Sequence, residues 1–169
     1  RASVIASLAA DGPVYIRFGR NPVPQLYTSG EKVKIGKGNL LREGSDITLA
    51  ACGAMVSLSI EAAAILNGKG ISAGVIDMIS VKPIDRELLV GQAGKTGAVV
   101  VAEDHQITGG LFGAVAETLA RELPVPIDTV AMQDTFGTSG TPERVMEKYG
   151  LTAIAIAEKA ERMLREDAL

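Results

Sequence analysis

Residues 98–102 read Ala-Val-Val-Val-Ala, an apolar run with no polar position in it. A strand with one face in water alternates apolar and polar residues. A strand with no alternation has both faces covered, as in a parallel sheet between two layers of helices. Other segments fit the same arrangement. Ile47 to Ala51 is a second buried strand, bounded by Gly44 and Gly53, and Ser72 to Met78 and Ile127 to Met132 read as further strands.

Between these runs lie segments with helical spacing. Met55, Leu58, Ala62, Ile65 and Leu66 line one face of a helix that Asn67-Gly68 ends. Asp85 is a suitable N-cap for a short helix after Pro83-Ile84, because its carboxylate can accept free first-turn amides. Leu111 to Glu122 forms another helix on Leu111, Val115 and Leu119. Thr141 caps a helix with Pro142 at its first position and Gly150 at its close, and Thr152 opens a last helix to about Arg165. This alternation predicts a three-layer α/β fold: a mostly parallel, doubly wound sheet of about five strands with helices on both faces. Lys32 to Gly36 is the expected edge strand, antiparallel to the rest.

The first thirty residues break this pattern. Ala2 to Ala10 reads as a helix end, Asp11-Gly12-Pro13 as a break and Val14 to Phe18 as a strand. Gly19 to Gly30 contains Pro22 and Pro24, which suit neither a helix nor a central strand, so it reads as an extended linker. The expected organisation is a remnant of a preceding domain at 1–20, a linker at 21–31 and one complete domain at 32–169. The opening residue Arg1 fits a piece of a longer protein.

Several function classes lose support on composition. Net charge is −3, aromatics make up 4% and no basic stripe exists, so nucleic acid is not an expected partner. No apolar run approaches the roughly 18 residues of a membrane span, so no membrane partner is expected. Cys52 is the single cysteine; it excludes an internal disulfide and is compatible with a cytoplasmic location.

In doubly wound folds, ligands bind beyond the carboxyl ends of the strands, so each strand-to-helix turn is a candidate. Cys52-Gly53-Ala54-Met55 has one glycine and no dinucleotide spacing, and reads as a tight turn with Cys52 as a small core residue. Glu103 to Gly113 is the richest polar cluster and holds His105, the only histidine. Either His105 and the carboxylates line a cleft, or Glu103 and Asp104 bond loop amides beside an ordinary histidine; with no placed nucleophile the second reading is favoured. Gln133 to Gly140 could bind phosphate, but turn building explains its residues equally well. No Cys, His and carboxylate set has metal-ligand spacing. Arg17 and Arg20, around a strand end, have the planar fork that suits phosphate or carboxylate, though surface arginines are the simpler reading.

The ordered series YIRFGRNPVP, GSDITLAACGAMVSLSIEAAAIL, GISAGVIDMISVKPID, VVVAEDHQITGGLFGAVAE and DTFGTSGTPERVMEKYGLT resembles the transketolase family. It covers the end of the pyrimidine-binding domain and the whole C-terminal domain, with proportions similar to the compact or split transketolases. The resemblance implies transfer of two-carbon ketol units between sugar phosphates by a complete enzyme that uses thiamine diphosphate and magnesium, with active sites between two chains. It implies as partners the diphosphate- and pyrimidine-binding domains or a separate N-terminal subunit, together with a homo-oligomer. No catalytic, cofactor-binding or metal-binding residue carries over, and this chain alone is expected to be inactive and to bind neither cofactor. One residue does carry over: Arg20 matches the family arginine that binds the substrate phosphate. Arg17 has no such match, and His105 receives no role. The 1-deoxyxylulose-5-phosphate synthases and the β-subunits of 2-oxoacid dehydrogenases share these segments and compete. A free-standing α/β dimerisation or ligand-binding module is the non-enzyme alternative.

Overall fold

The computed structural model describes residues 2–28 and 33–166. After a short helix α1 (Ala2–Ser7), five strands and five helices follow in chain order: β1 (Asn39–Arg42), β2 (Ile47–Ala51), α2 (Met55–Asn67), β3 (Ala73–Asp77), α3 (Arg86–Thr96), β4 (Val99–Gln106), α4 (Leu111–Glu122), β5 (Ile127–Met132), α5 (Pro142–Lys148) and α6 (Ala153–Glu166). The sheet order is β1-β3-β2-β4-β5. β1 pairs antiparallel with β3, and the other neighbours are parallel. The expected three-layer α/β architecture with one antiparallel edge is therefore present.

Each face of the sheet has its own core. On one face Ile47, Leu49, Val75 and Val100 pack with Met55, Ala62 and Leu66 of α2 and with Ile156, Ala160 and Met163 of α6. On the other, Ala50, Ile76, Val99 and Val101 pack with Leu89 and Ala93 of α3 and with Leu111, Val115 and Leu119 of α4. All five residues of β2 are buried, as are all five of β3. Full burial of one Val, Leu or Ile side chain contributes about 1.5–3 kcal/mol, so these strands are the stable centre of the domain.

Three local expectations are corrected. The antiparallel edge strand is Asn39–Arg42, beyond the segment expected to form it. In that segment, Lys32 lies outside the described residues; Ile35-Gly36 is a turn, with Gly36 at φ +80°. Val14 to Phe18, read as a strand, has no regular secondary structure. A β-rich segment becomes a strand only by pairing, and this one pairs with neither sheet edge. β4 continues four residues past the apolar run, through Glu103, Asp104 and His105 to Gln106. A register shift after Ala102 lets pairing with β5 resume at Gln106 and Met132. No helix among the described residues is long and apolar enough to cross a membrane.

Candidate functional site

The parallel strand order reverses at β2, which has β3 on one side and β4 on the other. The crevice beyond the carboxyl end of β2 is thus the topological switch point, the place where folds of this class bind ligands. Four sequence-selected residues meet here: Cys52 after β2, and Glu103, Asp104 and His105 on β4. Asp77 closes the group from the end of β3.

Glu103 is fully buried. The Leu111 amide donates to its Oε2 (2.7 Å) and the Phe112 amide to its Oε1 (2.8 Å). These are orphan amides of the first turn of α4, so a carboxylate from the strand caps the helix that follows it. Gly110 makes the approach possible: a Cβ at that position would stand 2.8 Å from Glu103 Cδ. The anion position at this helix start is therefore filled by the chain itself.

Asp104 turns the other way. Arg17 Nη1 donates to its Oδ1 (3.3 Å), which ties the N-terminal segment to β4. The same carboxylate stands over the β2–α2 turn, 3.6 Å from where a Cβ on Gly53 would lie; Gly53 has φ +59°, a left-handed conformation that favours glycine. His105 Nδ1 is 3.6 Å from both Glu103 Oε2 and Asp104 Oδ1, within ion-pair reach of either when protonated but beyond hydrogen-bond distance. Asp77 is buried and accepts a 2.5 Å hydrogen bond from the Tyr27 hydroxyl. Burial pushes the Asp77 carboxyl up from its ordinary value, and the Tyr27 bond partly offsets this. Burial also pushes the Cys52 thiol up to about 12, helped by the charges of Glu103, Asp104 and Asp77 and opposed by Arg17. Cys52 is a core residue and not a nucleophile at neutral pH.

The reading in which Glu103 bonds nearby amides holds, while Asp104 pairs with Arg17 instead. Arg17 is thus more than a surface arginine. The contacts Arg17–Asp104 and Tyr27–Asp77 were not foreseen. Their one sequence signal was an ionisable residue at or just past the end of an apolar strand. Arg20 is exposed in a bend and, among the described residues, has no hydrogen-bond or ion-pair partner. The loop 133–140 points outward: Phe136 is 97% exposed, and its carbonyl accepts from Tyr149 Oη (3.0 Å). Thr138 Oγ1 accepts from Lys148 Nζ (3.4 Å), so that hydroxyl belongs to loop construction. Among the described residues no group of three or more His, Cys, Asp or Glu side chains could hold a metal ion. With the α4 amides already used by Glu103, the described residues do not fit a metal-bound diphosphate.

The sequence profile of the family described as "Transketolase, C-terminal domain" matches residues 36–156. The 6-deoxy-6-sulfo-D-fructose transketolase subunit SqwH of Clostridium sp. (strain MSTE9) is 44% identical over 160 residues, which are 95% of this chain and 50% of that protein. The 1-deoxy-D-xylulose-5-phosphate synthase of Heliobacterium modesticaldum (strain ATCC 51547 / Ice1) is 37% identical over 164 residues, 95% of this chain and 25% of the synthase. Among solved structures, one described as "Split gene transketolase, inactive beta4 tetramer" superposes with a TM-score of 0.94 at 47% identity, over 97% of this chain and 54% of that one. The chain thus spans half or less of the curated relatives named here.

Proposed function

The chain belongs to the transketolase family through its C-terminal domain, and from that premise we propose that it is the C-terminal section of an enzyme that transfers two-carbon ketol units between sugar phosphates. The observation that carries this reading is the likeness to a split-gene transketolase chain over 97% of the length at 47% identity. In this proposal residues 1–20 end a pyrimidine-binding domain, 21–31 link it onward, and 32–169 form the C-terminal domain. Thiamine diphosphate with magnesium would supply the carbon–carbon bond chemistry in the complete enzyme, held by residues outside those described here.

The domain's own part is mechanical. Its switch-point crevice is filled by Glu103, by the Arg17–Asp104 pair and by Tyr27 on Asp77, so it serves as a socket for the N-terminal segment. That agrees with a role in packing one domain against the next. The description of the similar beta4 tetramer as inactive supports the proposal that this chain, too, self-associates and does not catalyse alone. Arg20 would bind the substrate phosphate with its planar fork.

The test is an assay for ketol transfer from a ketose phosphate to an aldose phosphate, with thiamine diphosphate and magnesium present. The chain alone should give none, and addition of the complementing N-terminal subunit should give transfer. Transfer by the chain alone would overturn the proposal. In the complete enzyme, Arg20→Ala should raise KM for phosphorylated sugars about tenfold or more, the loss of one or two charge-assisted bonds. An unchanged KM removes the assignment. The likeness to the Heliobacterium synthase favours a second reading, synthesis of 1-deoxy-D-xylulose 5-phosphate. Formation of that product by the assembled enzyme would establish it.

A further inference from the structure

Arg20 sits between two anchors on the sheet. Three residues before it, Arg17 is tied to Asp104 at 3.3 Å. Seven residues after it, the Tyr27 hydroxyl is tied to Asp77 at 2.5 Å. Asp77 ends β3 and Asp104 lies in β4, and β2 runs between those strands. The two carboxylates therefore straddle the end of β2, about 10 Å or two strand spacings apart. Ten residues of extended chain reach about 34 Å, well beyond that span even with the reach of both side chains. The segment between the anchors must arch away from the sheet. Pro22 and Pro24 restrict the backbone of that arch, and Arg20 stands exposed within it.

We infer that Asp104 and Asp77 are positioning residues for Arg20: together they pin both feet of the arch, through Arg17 and Tyr27, and so set where the Arg20 guanidinium is presented. The inference rests on the reading of Arg20 as a phosphate ligand and extends it to four residues with no claim to touch substrate. A guanidinium on a free ten-residue segment samples many positions, and its ordering would have to come out of binding energy. Pinning the arch removes that cost before the substrate arrives. The Arg17–Asp104 pair is partly exposed, with side-chain exposures of 45% and 25%, so it adds little to stability. A position-setting role gives it a reason to exist.

The experiment is a double-mutant cycle in the complete enzyme, with KM and kcat measured for a phosphorylated and an unphosphorylated ketose donor. Asp104→Ala and Tyr27→Phe should each raise KM for the phosphorylated donor about three- to tenfold, with kcat and the unphosphorylated donor little changed. Asp104→Glu, which keeps the charge, should restore most of the loss. In an Arg20→Ala background neither substitution should raise KM further, because there is no guanidinium left to place. If Arg20→Ala raises KM while the anchor variants do not, the positioning inference is wrong and the phosphate reading stands. If the anchor effects persist undiminished in the Arg20→Ala background, the anchors act on something other than Arg20. If Arg20→Ala itself changes nothing, both readings fall.

Discussion

The carboxyl group of Glu103 lies where a side chain on Gly110 would have to be. A Cβ at position 110 would overlap it, and that carboxyl group receives the Leu111 and Phe112 amides. Strand and helix are fastened together across the switch point by one buried side chain.

Gly110→Ala is therefore expected to destabilise the protein by about 2–4 kcal/mol, combining overpacking with a displaced charge-assisted cap. Glu103→Gln should cost less, about 1–3 kcal/mol, because the amide keeps one acceptor for the two N–H groups. Denaturant unfolding of both variants checks the order. A Gly110→Ala protein as stable as the parent would mean that Glu103 leaves the helix start at no cost, and the capping account would fail.

How much of this was legible depended on what each residue reports locally. β2, β3 and the start of β4 stood out because strands buried on both faces become apolar runs. β1 did not: Asn39-Leu40-Leu41-Arg42 carries no alternation, and an edge strand has one partner to satisfy. The Glu103–Gln106 extension of β4 read as loop because charged residues are poor strand formers, and only pairing with β5 after the register shift holds it. Val14 to Phe18 failed in the opposite sense, with strand propensity but no strand to pair with. The Glu103 cap spans eight residues, outside the spacing of ordinary N-caps. Arg17 and Asp104 are 87 positions apart, a relation no local pattern encodes.

Asp77 gives the fold an unusual pH response. Burial raises its folded value, so the native state binds more protons than the unfolded chain just above the ordinary value of 3.8. Stability from this group is fully present below 3.8 and is lost as pH rises through the raised folded value. Asp46 is lowered by its backbone bond from Ser72 and its bond from Ser45. In Asp128, burial works upward, but the Thr129 amide, Lys159 and Arg162 bring the value down on balance. Stability from those two is present above 3.8 and lost as pH falls through their lowered values. Asp77→Asn should flatten the decline on the higher-pH side and leave the acid side unchanged. A stability profile identical to the parent's above pH 3.8 would count against a buried, costly Asp77.

Cys52 should resist alkylation. With the thiol pushed up to about 12, the thiolate fraction at pH 8 is on the order of one in ten thousand. Iodoacetamide labelling of the native protein is expected to be orders of magnitude slower than labelling in denaturant, where burial and the neighbouring carboxylates are removed. Equal rates in the two conditions would show that the β2–α2 turn opens freely.

Asp85 ties the approach to the edge strand to the sheet's second helix layer. Its Oδ1 accepts from the Leu88 amide (3.2 Å) and from Lys37 Nζ (3.2 Å), and its Oδ2 accepts from the Gly38 amide (3.1 Å). Burial acts to raise its value, but these three donors outweigh it and hold the carboxyl below the ordinary range. Asp85→Ala removes the α3 cap and strands the Gly38 amide one residue before β1, for a loss of about 2–3 kcal/mol. Asp85→Asn keeps one acceptor oxygen, so it retains one of the Leu88 and Gly38 amide bonds and forfeits the other together with the charge facing exposed Lys37; its loss should be smaller than that of Asp85→Ala, about 1–2 kcal/mol. Lys37→Ala should then be close to neutral. Hydrogen exchange at the Gly38 and Leu88 amides separates these contributions: both should speed up in Asp85→Ala, and neither in Lys37→Ala. Protection at Gly38 that survives Asp85→Ala would show that β1 is held by its antiparallel pairing with β3 alone.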